Sequence, residues 1–202
     1  MLFGLAQSLW VSPLFITQRP RNLINMALKS TIHKAEVSIA DMDRHYYAEH
    51  SLTIAQHPSE TEERMMVRLL TFMLNAHERL IFGKGLSTDD EPDLWHVDYN
   101  SDIRLWIDVG LPDERRIRKA CGRSDVVRVY LYGGSIAEKW WRDNEKAMNA
   151  LDKVSVFMLP DTSGLTAVCQ RNMSLQCSIS DGEIWLADAA GAHQVVCEVL
   201  KA

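Results

Sequence analysis

The sequence predicts a single α/β domain, on three observations. A chain of 202 residues with 47% hydrophobic content is long and apolar enough to bury one real core. Strictly alternating apolar and polar runs stand near both ends of the domain, as half-buried strands require. Between them, helical periodicity and short strand-like runs succeed one another, the pattern of mixed α/β folds.

The elements follow in order. ALKSTIHKAEVSIADMD and YYAEHSLTIAQHP alternate and read as an N-terminal hairpin, joined by a polar connection near Asp41 to His45. PSETEERMMVRLLTFMLNAHERL is the strongest helix. Ser59 and Glu62 are spaced as a capping box behind Pro58. Met66, Leu69, Leu70, Met73 and Leu74 make its apolar stripe. Glu63 flanks that stripe, and Glu60 is expected to point further from it. Three short strands come next: LIFGKG, then PDLWHVDY after the acidic loop STDDE, then DIRLWIDVG. In the third, Ile103, Leu105, Ile107 and Val109 face one way and Arg104, Trp106 and Asp108 the other.

Pro112 and Asp113 then open the basic helix DERRIRKACG. VVRVYLYGG is a continuous β-branched run, which marks a central buried strand. After Gly133–Gly134 a helix carries Trp140 and Trp141, and VSVFMLP is a further strand. A short helix near Thr162 to Gln170 precedes two alternating runs around Asp181–Gly182, a strong hairpin signal. HQVVCEVL reads as a last edge strand.

The first 25 residues stand apart. They contain no acid, and their only charges are Arg19 and Arg21. A secretory signal places basic residues before its apolar run, and here they follow it. Pro13 interrupts an apolar stretch too short to span a bilayer. A membrane-associating tail and a targeting peptide compete with a third reading, upstream sequence translated from an early start. The third fits best: residues 1–25 are expected to be a non-native or disordered extension, with one domain over 26–202. No other segment is apolar enough to cross a membrane.

A net charge of −5 excludes a surface that is basic throughout. Cys121, Cys169, Cys177 and Cys197 show no close pair and no ligand spacing, and are expected to be reduced thiols in a cytoplasmic protein.

The order helix, three strands, helix, strand is shared with the PD-(D/E)xK nuclease-like core, here elaborated by the N-terminal hairpin and a C-terminal helix and hairpin. That core holds Mg²⁺ on carboxylates from two neighbouring strands, aided by an acid of the first helix. The metal polarises a phosphoryl oxygen and activates water, and a lysine stabilises charge. Asp93, behind Pro92, is the candidate first acid. Asp108 is the second, and Glu63 the helix acid. Gly110 stands where the lysine belongs, so Lys119 on the next helix is the candidate replacement. Arg115, Arg116 and Lys119 form a basic face suited to a phosphate backbone. Trp95 and Trp106 are expected to pack, or to stack on a base if exposed.

HPSETEERMM and DVGLPDERRIRKA, together with MALKSTIHKAEVSIADMD, ERLIFGKGLSTDDEPDLW and MSLQCSISDGEIWL, resemble the YaeQ family of small bacterial proteins from Met26 to about Asp188. The resemblance implies a variant of the PD-(D/E)xK fold, with the same departure at Gly110. It also implies a role in transcription elongation, as a substitute for a lost antitermination factor. Two functions follow as expectations: a Mg²⁺-dependent nuclease or phosphodiesterase, or a catalytically inactive nuclease-like module that binds nucleic acid or the transcription machinery. A third is a protein-interaction module using the Trp140–Trp141 pair.

Overall fold

A computed structural model describes residues 29–84 and 90–202; the segment 1–25 lies outside them. The first strands, β1 (Thr31–Asp41) and β2 (Tyr46–Gln56), form the expected hairpin, in unbroken register from Thr31↔Gln56 to Asp41↔Tyr46. The strongest helix is α1 (Glu62–Leu74). Three antiparallel strands follow: β3 (Leu80–Phe82), β4 (Leu94–Val97) and β5 (Ile103–Val109). Next are α2 (Glu114–Arg123), β6 (Ser124–Tyr132), α3 (Ser135–Asn149) and β7 (Val154–Leu159), so that β5, β6 and β7 run parallel. The chain finishes with α4 (Ser163–Ala167), β8 (Asn172–Ser180), β9 (Glu183–Ala187), β10 (Ala192–Val195) and β11 (Glu198–Lys201).

The strands make two sheets, ordered β10-β9-β8-β1-β2 and β11-β7-β6-β5-β4-β3. The β8–β9 hairpin turns at Asp181 and Gly182, both at positive φ (53° and 78°), which the Asp-Gly pair favours. HQVVCEVL does not form one edge strand. It divides into β10 and β11, which add to different sheets. Alternation alone does not say which sheet an edge strand will join.

The second sheet is covered on both faces. On one side Trp106, Val127, Val129 and Leu131 pack with Ile117 and Ala120 of α2 and Ala137 and Met148 of α3. On the other, Ile107, Val109 and Tyr130 share a core with α1 and with Val37, Ile39, Leu175 and Leu186 of the first sheet. α1 is thus enclosed well beyond the expected stripe: Met65, Val67 and Phe72 are buried as well, and so is Arg68.

The start of α1 corrects the expected cap. Thr61, at φ −71° and ψ 154°, is the N-cap, and its side chain accepts from the Arg64 amide at 3.1 Å. Ser59 bonds His57 instead, and Glu62 is the first helical residue. No described helix is long and apolar enough to cross a membrane.

Candidate functional site

Two glycines set the backbone around the two aspartates. A Cβ on Gly83 would lie 1.9 Å from the Pro92 carbonyl oxygen, so only glycine lets the end of β3 close on Pro92 and Asp93. Gly83 N–H donates to the Asp93 carbonyl at 2.9 Å. Gly110, just past β5, has φ +100°, where side chains other than glycine's are strained. A lysine at that position would be strained on this backbone.

Asp93, just ahead of β4, donates its amide to the Ile107 carbonyl of β5 at 3.0 Å and so lies beside Asp108, and both aspartates are buried. Their carboxylates serve different sides of the sheet. Asp93 turns towards α1. Its Oδ1 accepts from Arg64 Nη2 at 2.7 Å, and its Oδ2 from the Val109 amide at 2.8 Å. Arg64 Nη1 also donates to Glu60 Oε1 at 2.8 Å, and Arg68 Nη1 lies 3.0 Å from both Glu60 oxygens. Arg68 Nε is 3.6 Å from Asp93 Oδ1, near enough for charge attraction but too far for a hydrogen bond. Glu60, expected to point away from the helix stripe, is therefore buried in this network. Glu60 lies just ahead of the N-cap, and Arg64 and Arg68, one turn apart on α1, both reach back to it. Burial draws the Arg64 pKa down, but Asp93 and then Glu60 reverse this, and it lies above its ordinary value.

Asp108 turns towards α2. Its side chain is 2% exposed. Oδ2 accepts from Trp106 Nε1 at 3.0 Å, and Oδ1 from Arg116 Nε and Nη2 at 3.1 and 2.8 Å. Arg116 Nη2 reaches the Glu91 carbonyl at 2.7 Å as well. Burial raises the Asp108 pKa, and the opposing pull of Arg116 and Trp106 does not cancel it. Trp106 is buried, with Arg116 and Arg123 near its ring, and is not open to stack on a base. Trp95 packs edge-on against it.

The remaining candidates lie elsewhere. Glu63 accepts from the hydroxyl of Thr162, ahead of α4. Lys119 pairs with Asp90 at the surface rather than with Asp108, and Arg115 is exposed. Trp140 donates to the Pro112 carbonyl at 3.1 Å, and the Trp140–Trp141 pair packs against the α2–α3 core. Tyr132, at the end of β6, was not among the expected residues. Burial pushes its phenol to about 12, with Arg64 opposing and Glu63 and Asp93 adding to the rise.

A divalent cation needs several oxygen ligands free to face it. Here the Asp93 and Asp108 oxygens are already taken by guanidinium, indole and amide donors, and Glu63 belongs to a third group of contacts. Among the described residues no three His, Cys, Asp or Glu side chains form a metal-holding group. In this arrangement the acids do not fit Mg²⁺: guanidinium groups occupy the place of the cation.

Fold and site together define a mixed α/β protein of two sheets and four described helices, with paired strand acids neutralised by arginine. Residues 26–197 match the family described as YaeQ protein, and the chain belongs to that family. It is 47% identical over 165 residues to YaeQ of Escherichia coli (strain K12), covering 81% of this chain and 91% of the relative. It is 46% identical over 166 residues to YaeQ of Salmonella typhi, covering 81% and 92%. The crystal structure of the YaeQ protein from Xanthomonas axonopodis pv. citri superposes with a TM-score of 0.83 at 50% identity, over 86% of this chain and 99% of that one. The YaeQ protein from Pseudomonas syringae gives 0.81 at 35% identity, over 86% and 97%.

Proposed function

We propose that this chain is a nuclease-like scaffold that binds nucleic acid without cutting it. The observation that carries the reading is the commitment of Asp108, on the third strand of the core, to Arg116 and Trp106. An acid so occupied holds a helix against a strand. It does not present oxygens to a metal. The likeness to the PD-(D/E)xK core rests on the order of α1, β3, β4, β5, α2 and β6.

The binding surface would be the outer face of α2. Arg115, Arg118, Lys119 and Arg123 are exposed there, and Glu114 is the helix's single acid. Arg116 turns inward and fixes this face to the sheet, so its role is positioning rather than phosphate contact. Such a patch binds phosphates by counterion release, with little sequence preference and a steep salt dependence.

The test is fluorescence anisotropy with short DNA and RNA at several salt concentrations, run with Mg²⁺ present and cleavage read on gels. Salt-sensitive binding, weakened in Arg115→Glu and Lys119→Glu and without turnover, is the expected result. Absence of binding to either nucleic acid overturns the proposal. Cleavage lost in Asp108→Ala would instead favour the catalytic reading. In that reading Asp93, Asp108 and Glu63 would hold Mg²⁺ and Lys119 would assist, which requires Arg64 and Arg116 to leave the aspartates.

A further inference from the structure

Away from the aspartates, a pocket of about 290 Å³ opens where the two sheets meet. Tyr130 and Phe157 line it, their rings stacked with centroids 4.7 Å apart and 13° between planes. Ile179 and Ile184 add apolar wall, and Val199, 61% exposed, stands at its border. Two arginines, Arg44 and Arg128, line it as well.

The two arginines differ in what they hold. Every nitrogen of the Arg44 guanidinium has a partner. Its Nε donates to Asp41 at 2.6 Å, and its two terminal nitrogens reach the Ala76 and Met73 carbonyls at 3.3 and 3.5 Å. It thereby supplies the positive charge that the last turn of α1 lacks. Arg128 is half-buried and donates to the amide oxygen of Asn75. No carboxylate among the described residues pairs with it. The acids of the pocket are occupied: Asp41 by Arg44, and Asp43 by the amides of Asp181 and Gly182, at 2.7 and 2.9 Å. A guanidinium has five N–H donors in a planar fork, and its strongest partner is a carboxylate bound through two of them. Capping α1 does not explain Arg128, because Arg44 already takes the helix carbonyls.

We propose that this pocket binds a small apolar monocarboxylate, with its carboxylate on Arg128 and its body against the half-buried Phe157 ring and Val199. The volume, at the low end for ligand pockets, suits a small molecule. Asp41 and Asp43 on the wall disfavour a dianion such as phosphate. The site is separate from the α2 face and stands whether or not that face binds nucleic acid.

The experiment is isothermal titration of the full chain with benzoate, phenylacetate and inorganic phosphate, then of Arg128→Met and Val199→Trp. A carboxylate should bind more tightly than phosphate. Arg128→Met should weaken it about tenfold or more. Val199→Trp, at a lining residue on β11, separated from the β6 strand of Arg128 by β7, should weaken it also. If Arg128→Met does not fold, Arg128→Lys keeps the charge, loses the fork and should still bind less well. No heat from either carboxylate, phosphate binding more tightly than both, or carboxylate affinity unchanged in the folded variants would overturn the proposal.

Discussion

The arginines of α1 and those of α2 carry the same charge to opposite ends. Arg64 and Arg68 sit inside the protein, 15% and 1% exposed, and close a network with Glu60 and Asp93. Arg118 and Lys119 are about half exposed and form ion pairs with Glu114 and Asp90 that water can replace. A buried charge cannot turn to solvent when its partner is lost, so the first set must be complete for the fold to stand. The second set stays available to a ligand because its own pairs are weak. One bridge crosses between the two regimes: Arg116, a quarter exposed, whose inner end holds buried Asp108.

The sharpest way to break this contrast is Glu60→Ala. It takes from buried Arg68 its hydrogen-bonded carboxylate, leaving only the longer 3.6 Å approach to Asp93, removes a partner from Arg64, and should lower stability by about 3–5 kcal/mol in urea denaturation. The double variant Glu60→Leu with Arg68→Met removes both charges and should recover most of that loss. If the single variant costs no more than a surface pair, the network is not what fixes α1 to the sheet.

Asp108 should come next. Asp108→Ala removes the acceptor of Trp106 Nε1 and the carboxylate that Arg116 binds, and should cost about 1.5–3 kcal/mol. The pH dependence has a definite sign. Burial raises the folded-state pKa above the unfolded value, so the native state binds the proton more readily. Stability from this group is present below the unfolded value, near about 3.9, and falls as pH rises to the raised folded value. Asp108→Asn cannot titrate. Its stability relative to the wild type should therefore improve as pH rises through that window, measured as paired melts. A gap that is constant with pH would mean that Arg116 fully compensates the burial.

The helix cap offers a smaller effect that also shows what the sequence made legible. Thr61→Ala should cost about 1 kcal/mol, and Ser59→Ala close to nothing at the helix. The sequence favoured Ser59 because S-x-x-E fits a capping box; Thr61 is followed by Arg64 instead of Glu or Gln, yet it has the extended backbone a cap needs and accepts from the Arg64 amide. Periodicity located each strand and helix that one face of packing decides, including the alternation of β5 and the Asp-Gly turn. It missed what depends on partners distant in sequence: the division of the last run between two sheets, and the full burial of α1. The two acids were visible, because Asp93 stands at the entry to β4 and Asp108 within β5. Their neutralisation was not, although Arg64 and Arg68 already shared one helix face and Glu60 stood four residues ahead of Arg64. Spacing shows that side chains share a face. It does not show which way a carboxylate turns at the end of a strand.

The smallest effect tests the outer regime. Arg118→Ala breaks its hydrogen-bonded pair with Glu114, 2.6 Å apart at the surface, and should change stability by no more than about 0.5 kcal/mol. The same substitution removes one cation from the exposed α2 face. If that face contacts phosphates, the slope of log affinity against log salt should shrink by about 1. Stability and binding are thus expected to separate at Arg118 and to move together at Arg116, whose loss also uncovers Asp108. A variant of Arg118 that melts early would place the outer pairs among the supports of the fold. An unchanged salt slope, with binding intact, would move the phosphate contacts off this part of α2.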